Sequence, residues 1–429
     1  MDCIKIIGGN KLSGTIPISG AKNAALPLMI ASLLTDDILS LEDVPYLADI
    51  ELLTRILSNH GVDYSVNGRR EHQSGAYSRI IHFNARHIAN TIAPYDLVSR
   101  MRASFWVIGP LLARMGEAEV SLPGGCAIGT RPVDWILDGL RKFGADITIE
   151  NGYVRARTKT ILCGIDYTFP KVTVGGTHVM LMVATLARGD TVLRNAACEP
   201  EVINLANCLN LMGARIIGAG TSEIYITGVS RLSGARIKVI PDRIEIGTYA
   251  IAVGMVGGDI FLEGADSSLL STVLQTLRKA GVHIIENDQG LRIFRDTSSL
   301  APVDIITQPF PGFPTDLQAQ FMSLMTCAKG RSHITEIIFE NRFMHVQELA
   351  RFGASISLSG HTATVEGVKF LKGAEVMATD LRASVSLVIA GLAAEGETVV
   401  NRIYHLDRGF ECLEEKLSHC GAQIQRIRA

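Results

Sequence analysis

One phrase recurs six times along the chain: a leucine, three residues, a glycine, then a small apolar residue. The copies are Leu57 to Gly61-Val62, Leu140 to Gly144-Ala145, Leu209 to Gly213-Ala214, Leu277 to Gly281-Val282, Leu349 to Gly353-Ala354 and Leu417 to Gly421-Ala422. Each reads as the end of a helix, because glycine is the residue best able to take the left-handed cap. Alternating residues such as Ile147 and Ile149 then begin a strand. A second phrase, where a helix ends in glycine and a strand resumes, lies between the copies at Leu112 to Gly116, Leu186 to Gly189, Gly258, Gly330, and Leu392 to Gly396, with Leu34-Thr35-Asp36-Asp37 as the counterpart in the first copy. The unit is about 70 residues long and holds two helices and about four strands in the order βαβαββ. Strands in every copy argue against an all-helical solenoid.

Only the interval from Gly61 to Gly144 is long, by roughly a dozen residues, and the polar run Asn67 to Arg79 accounts for the excess as an inserted hairpin or loop. At 429 residues the chain exceeds one ordinary core, and six units suit two domains of three. The expected class is mixed α/β (α+β). The first unit lacks an opening strand before Lys22 unless the N-terminal segment supplies it, so the chain is expected to start in one domain and return to it. The expected division puts 1–20 and 241–429 in one domain and 21–240 in the other, with Pro241-Asp242-Arg243 breaking the pattern at the return.

Charges nearly cancel, with 41 Lys and Arg against 43 Asp and Glu, so no global field points to nucleic acid or a membrane surface. Met1-Asp2-Cys3-Ile4-Lys5-Ile6 lacks the basic start and apolar core of a secretion signal, and no apolar run is long enough to span a bilayer, so a cytoplasmic protein is expected. Eight cysteines are scattered without a CxxC pair or a cysteine-histidine metal spacing, which reads as reduced thiols. The histidines form no HExxH pattern, and His345 and His405 read as structural. Neither a Walker sequence nor a correctly spaced dinucleotide fingerprint is present.

Chemistry concentrates in two features. The loop Ser121-Leu122-Pro123-Gly124-Gly125-Cys126-Ala127-Ile128-Gly129-Thr130-Arg131-Pro132 lifts one thiol clear of regular structure and feeds the positive end of a helix whose apolar positions are Val133, Ile136, Leu137, Leu140 and Phe143. The helix dipole, the backbone N–H groups and Arg131 favour anions and thiolate there. The other feature is the set of helix starts: Ser19-Gly20-Ala21-Lys22-Asn23, Ser99-Arg100-Met101-Arg102, Val174-Gly175-Gly176-Thr177, Ile246-Gly247-Thr248, Phe313-Pro314-Thr315-Asp316 and Thr379-Asp380-Leu381-Arg382. Capping accounts for the Ser, Thr and Asp, Thr248 included. It does not account for Lys22, Arg102 or Arg382, since a cation at the positive end of a helix is disfavoured unless an anion joins it. With Arg131, and with Lys171 ahead of a glycine-bearing turn able to form a nest, these residues suit a phosphate-bearing substrate.

The phrases Ser19 to Ala24, Leu122 to Cys126, Pro241 to Glu245, Phe313 to Gln320, Phe339 to His345, Ala378 to Ser384 and Asp407-Arg408-Gly409 together resemble the enolpyruvyl transferases, and among them the UDP-N-acetylglucosamine 1-carboxyvinyltransferase family, over nearly the whole length. The resemblance implies two inside-out α/β barrels of three βαβαββ units each, closing over a cleft, with phosphoenolpyruvate handled from the C-terminal domain and the reactive cysteine carried by the N-terminal one. It implies transfer of the enolpyruvyl group of phosphoenolpyruvate to the 3-hydroxyl of UDP-N-acetylglucosamine, a step of peptidoglycan synthesis, with no metal and no organic cofactor. Cys126 would deliver the proton to C3, form a covalent adduct with phosphoenolpyruvate and react with fosfomycin, and Asp316 would take the sugar hydroxyl proton. Catalytic roles fall also to Lys22 and Arg408. Phosphoenolpyruvate would meet Lys22, Asn23, Arg131, Arg382 and Arg408, with Asp380 orienting the arginines. UDP-N-acetylglucosamine would meet Arg102, Arg131, Pro132, Val133, Asp134, Trp135, Lys171, Val172, Thr173, Val174, Asp316 and Ile338. The expected partners are these two small molecules, with neither nucleic acid nor membrane, and a monomer is compatible with the reading. The alternatives are a relative acting on shikimate 3-phosphate, against which the cysteine loop argues, and a non-catalytic sugar-nucleotide binder.

Overall fold

The computed structural model describes residues 2–71, 77–123, 133–296 and 299–428. Its contacts separate into two units, one made of Met1–Ser19 and Pro241–Ala429, the other of the described residues between Gly20 and Ile240. Each unit holds three four-stranded sheets, and all six sheets share one topology. In the sheet of Asp166–Thr168, Asp190–Arg194, Glu223–Thr227 and Arg215–Ile217, the first two strands are parallel and the remaining pairings antiparallel. The strand order is therefore first, second, fourth, third, as one βαβαββ unit folded on itself produces.

The innermost helices share one sequence pattern. Lys22–Ala31 and Val174–Leu186 in one unit, and Arg243–Val256, Gln318–Met325 and Leu381–Ala393 in the other, are apolar or small on nearly every side and buried nearly all round. Ile108–Met115 joins the first group over its buried residues Ile108 to Leu112. Such helices belong in an interior. The sheets lie outside them with one face inward: Tyr153–Arg157 buries Val154 and Ala156 and exposes Arg155 and Arg157. Each unit is thus an inside-out barrel.

The repeated phrase is a helix stop. After Ala48–Asn59, Asp134–Lys142, Pro200–Leu211, Ser271–Lys279, His345–Arg351 and Leu413–His419, the six glycines all take positive φ, between 86° at Gly353 and 106° at Gly144. In every copy the residue after the glycine donates its N–H to the carbonyl of the phrase's leucine, as in Val62 to Leu57 at 3.0 Å and Ala214 to Leu209 at 2.9 Å. The glycine N–H bonds three residues back, for example Gly213 to Asn210 at 3.0 Å. This is the Schellman arrangement, and the buried leucine supplies its apolar contact.

The first copy's opening strand is not N-terminal. Ala235–Lys238 pairs in parallel with Ile38–Val44, while the N-terminal strand Leu12–Pro17 opens the fourth copy beside Gly258–Glu263. The other N-terminal strand, Cys3–Ile7, completes the sixth copy between Glu397–Asn401 and Gln423–Ile427. Ser19, last residue of the first passage, is fastened within its unit: its N–H donates to Glu245 Oε2 at 2.8 Å and its hydroxyl to Glu411 Oε2 at 2.6 Å. Lys416 Nζ bonds both Ser19 Oγ and Glu245 Oε1, at 2.8 and 2.6 Å. The polar run after Asn67 lengthens one hairpin: its strands are Asp63–Glu71 and Tyr77–Asn84, against five-residue strands at the corresponding places in Asp146–Glu150 and Tyr153–Arg157.

Candidate functional site

In the unit that contains both chain ends, three ionic side chains meet. Asp316 lies in the 3-10 turn Thr315–Leu317 that leads into Gln318–Met325. Its Oδ1 accepts from Arg342 Nη2 at 2.8 Å and its Oδ2 from Arg382 Nη2 at 3.1 Å. The two arginine side chains are 4% and 6% exposed, the carboxylate 27%. Burial works to raise the carboxyl pKa, and the charges of Arg382 and Arg342 overcome it and hold Asp316 well below the usual carboxylate range. The partial exposure of the carboxylate weakens the burial contribution and so favours the same direction. Asp316 is therefore an anion with a free edge toward solvent.

Arg382 enters from the first turn of Leu381–Ala393, where its cation is matched by Asp316. The Asp380 carboxylate caps the helix, its Oδ1 accepting from the N–H groups of Arg382 and Ala383 at 2.8 and 3.0 Å. Residues two apart on a helix do not face each other, so a cap and not an ion pair is what this spacing yields. Arg342 was not among the expected residues, although the phrase Phe339 to His345 contains it. It lies over the Phe339 ring at 5.4 Å, and among the described residues its buried Nη1 makes no hydrogen bond. His345 beside it is buried, which together with Arg342 pushes its pKa down to about 4 against the pull of Asp380. Arg408 ends the 3-10 turn Ile403–Arg408, which packs on Leu381–Ala393, and is half-buried. Ile338 is half-buried and donates its N–H to Glu336 Oε1 at 2.7 Å.

The second group of expected residues belongs to the other unit. Lys22 opens Lys22–Ala31 and pairs with Asp49 at 3.1 Å, both side chains being nearly buried at 10% and 5% exposed. The cation at a helix start thus has a carboxylate partner in the protein itself. Asp49 escapes notice in the sequence because an acid in the first turn of Ala48–Asn59 is ordinary. Asn23 follows on the same turn, half-buried. Arg102 opens the 3-10 turn Arg102–Val107, which packs against both Lys22–Ala31 and Val174–Leu186.

Lys171 is exposed, Val172 half-buried, and Thr173 caps Val174–Leu186 by accepting from Gly176 N–H at 3.3 Å. Gly175 and Gly176 lie inside the first helical turn and not in a separate nest. Their lack of a side chain serves packing: a Cβ on Gly175 would stand 2.8 Å from Trp106 Nε1. Trp106 meets His178 edge-on at 5.3 Å, and burial pushes His178 down to about 3. Val133 precedes and Asp134 and Trp135 begin Asp134–Lys142, where Tyr167 Oη donates to the Trp135 carbonyl at 3.1 Å.

Thr248 proves not to be a cap. Asp242 caps Arg243–Val256 through Ile244 and Glu245 N–H, and Thr248 lies buried inside that helix, accepting from Gln320 Nε2 at 3.2 Å. Cys126, Arg131 and Pro132 lie outside the described residues. The seven other cysteines are free thiols. Among the described residues no group of three or more His, Cys, Asp or Glu is placed to hold a metal ion, and no helix is long and apolar enough to cross a membrane.

Residues 6–417 match the family described as EPSP synthase (3-phosphoshikimate 1-carboxyvinyltransferase). Proteins of Brucella ovis and Brucella abortus, both named UDP-N-acetylglucosamine 1-carboxyvinyltransferase, are 74% identical over 427 residues and covered over 100% of both chains. Among solved structures, the enolpyruvyl transferase NikO from Streptomyces tendae matches at a TM-score of 0.87 and 24% identity, covering 100% of this chain and 99% of that one. EPSP synthase from Acinetobacter baumannii matches over 100% of both chains at a TM-score of 0.77 and 18% identity, a likeness of fold. The family match over residues 6–417 and the 74% identity over the full length of both chains place the chain in the enolpyruvyl transferase family, in the branch of the UDP-N-acetylglucosamine 1-carboxyvinyltransferases.

Proposed function

We propose that the chain transfers the enolpyruvyl group of phosphoenolpyruvate to the 3-hydroxyl of UDP-N-acetylglucosamine and releases phosphate, as a step of peptidoglycan synthesis. The observation that carries this reading is the 74% identity over full length to relatives bearing that name. The shikimate-directed alternative has 18% identity behind it in the matched structure.

The reaction proceeds by addition and elimination. C3 of phosphoenolpyruvate gains a proton, C2 bonds to the sugar oxygen, then C3 loses a proton and the C2–O bond to phosphate breaks. Cys126 is the proton donor to C3 and the site of covalent adduct formation. Asp316 accepts the proton of the sugar hydroxyl; its ionised state and exposed edge support this role. Two arginines on one carboxylate make it a weak base, so its strength depends on what else those arginines bind. Arg382 is assigned to phosphoenolpyruvate as well as to Asp316, and an anionic substrate group that draws it off raises the basicity of Asp316 as the substrate arrives. Arg342, with one buried nitrogen unused among the described residues, keeps hold of the carboxylate.

Lys22, Asn23, Arg131 and Arg408 complete the phosphoenolpyruvate contacts, with Lys22 and Arg408 stabilising the charge on departing phosphate. Arg102, Arg131 through Trp135, Lys171 through Val174, Asp316 and Ile338 are assigned to the sugar nucleotide. The site needs no metal or organic cofactor, and the chain is assigned to the cytoplasm.

Phosphate release measured with phosphoenolpyruvate and UDP-N-acetylglucosamine, and separately with shikimate 3-phosphate, tests the reading. Release with the sugar nucleotide, reduced by about two orders of magnitude or more in Cys126→Ser, is the expected result. Release with shikimate 3-phosphate alone would overturn it.

A further inference from the structure

Glu336 is buried at 1% exposure just past the strand Arg331–Thr335, and the roles above leave it without a function. Its carboxyl group nevertheless collects four hydrogen bonds from three directions. Oε1 accepts from Thr307 Oγ1 at 2.8 Å and from the N–H groups of Ile338 at 2.7 Å and Phe339 at 3.2 Å. Oε2 accepts from Thr315 Oγ1 at 2.8 Å.

Two of these directions lead to residues that bear on the reaction. Thr315 is covalently next to Asp316 and starts the same 3-10 turn. Ile338 and Phe339 begin the segment that delivers Arg342. The contacts close a ring: Glu336 holds Thr315, Asp316 follows it, Asp316 bonds Arg342 at 2.8 Å, Arg342 lies over Phe339, and the Phe339 N–H returns to Glu336. A position in such a ring is fixed from two sides, which is how a base is kept in line with a hydroxyl it must reach.

We infer that Glu336 is a positioning residue for the transfer: one buried carboxyl group sets both the backbone that presents Asp316 and the segment that brings Ile338 to the acceptor sugar and Arg342 to Asp316. The inference rests on the proposed reaction. It assigns the two oxygens different tasks. Oε2, through Thr315, governs the alignment of the base and hence kcat. Oε1, through the Ile338 and Phe339 N–H groups, governs the seat of the sugar and hence its KM as well.

The split supplies the test, read as steady-state kcat and the KM for each substrate, on the full chain after circular dichroism confirms folding. Thr315→Val cuts only the bond to the base side, and kcat is expected to fall about tenfold or more with the KM for UDP-N-acetylglucosamine within about threefold. Thr315→Ser retains the hydroxyl and is expected to restore kcat to within about threefold. Glu336→Asp keeps the carboxyl group but shortens its reach, and is expected to lower kcat about tenfold and raise the sugar-nucleotide KM severalfold, leaving the phosphoenolpyruvate KM nearly unmoved. Equal impairment of Thr315→Val and Thr315→Ser, or a Glu336→Asp enzyme with all three constants within twofold of the parent, would overturn the positioning role. The Thr315 pair decides the matter even where Glu336→Asp fails to fold. A parent enzyme without turnover on the two substrates would instead be a failure of the proposed reaction, visible before any variant is made.

Discussion

Asp316 is the residue on which the electrostatics turn, and its two arginines make a prediction with a definite sign. Its pKa in the folded chain is depressed, so the stabilisation it contributes is present above the unfolded carboxylate value of about 3.9 and is lost as pH falls through the folded value. Asp316→Asn leaves Arg342, 4% exposed, without its anion, at a cost of about 3 kcal/mol near neutrality, toward the lower end for a broken buried pair because the carboxylate is partly exposed. Urea melts of parent and variant should differ by that amount at pH 7, with the difference shrinking as pH falls below about 4 and vanishing only below the depressed folded value. A difference that stays constant down to acid pH would mean that the carboxylate is not held by charge. In turnover, Asp316→Asn should lose about two to three orders of magnitude in kcat through the missing proton acceptor.

The same neighbourhood shows what could be read from residues alone. Arg382 stood out because a cation at a helix start needs an anion, whereas Asp316, which capping would explain, was marked only by the resemblance. Arg342 and Asp49 did not, because their significance lies in which side chain they reach across the fold: Arg342 to Asp316, Asp49 to Lys22. Asp380, expected to orient the arginines, uses Oδ1 to cap the start of its own helix.

At the level of elements, six helices stop in the same way, and the stop was legible because it depends on one backbone conformation that glycine alone takes cheaply. Gly353 isolates this term: its φ is 86° and an added Cβ would meet nothing within 4 Å. Gly353→Ala should therefore cost about 1 kcal/mol from strain alone, measured by chemical denaturation with an unchanged m-value. Gly61, at φ 93°, adds a clash, with the His87 carbonyl oxygen 2.6 Å from the would-be Cβ, so the same substitution there should cost more. Equal costs at both sites would show that strain, not packing, dominates. Helix starts were less legible than stops. Thr248 resembles a cap because threonine often is one, yet Asp242 six residues earlier does the capping, and only the position of the helix end separates the two readings.

At the scale of the whole chain, the repeat count was readable but which sheets the two N-terminal strands complete was not, because strand exchange leaves no local mark in a sequence. The sixth copy lacks a strand until Cys3–Ile7 inserts, with Ile4 and Ile6 fully buried and Cys3 opposite both Asn401 and Ile427. The first residues of the chain thus hold its last residues in register. Removing residues 2–8 strips two buried isoleucines and leaves Glu397–Asn401 and Gln423–Ile427 without the strand between them, a loss on the order of 5 kcal/mol from apolar burial. Joining the two ends by a short flexible linker and opening the exposed turn between Asp288 and Gln289 keeps every strand and changes only the connectivity. Such a permutant should fold with a stability within about 2 kcal/mol of the parent, while the truncated chain should melt far earlier or fail to fold. Matched urea melts of the two decide whether the strand or its place at the start of the chain matters, and a permutant as unstable as the truncation would show that completing the sheet does not by itself account for the strand's contribution.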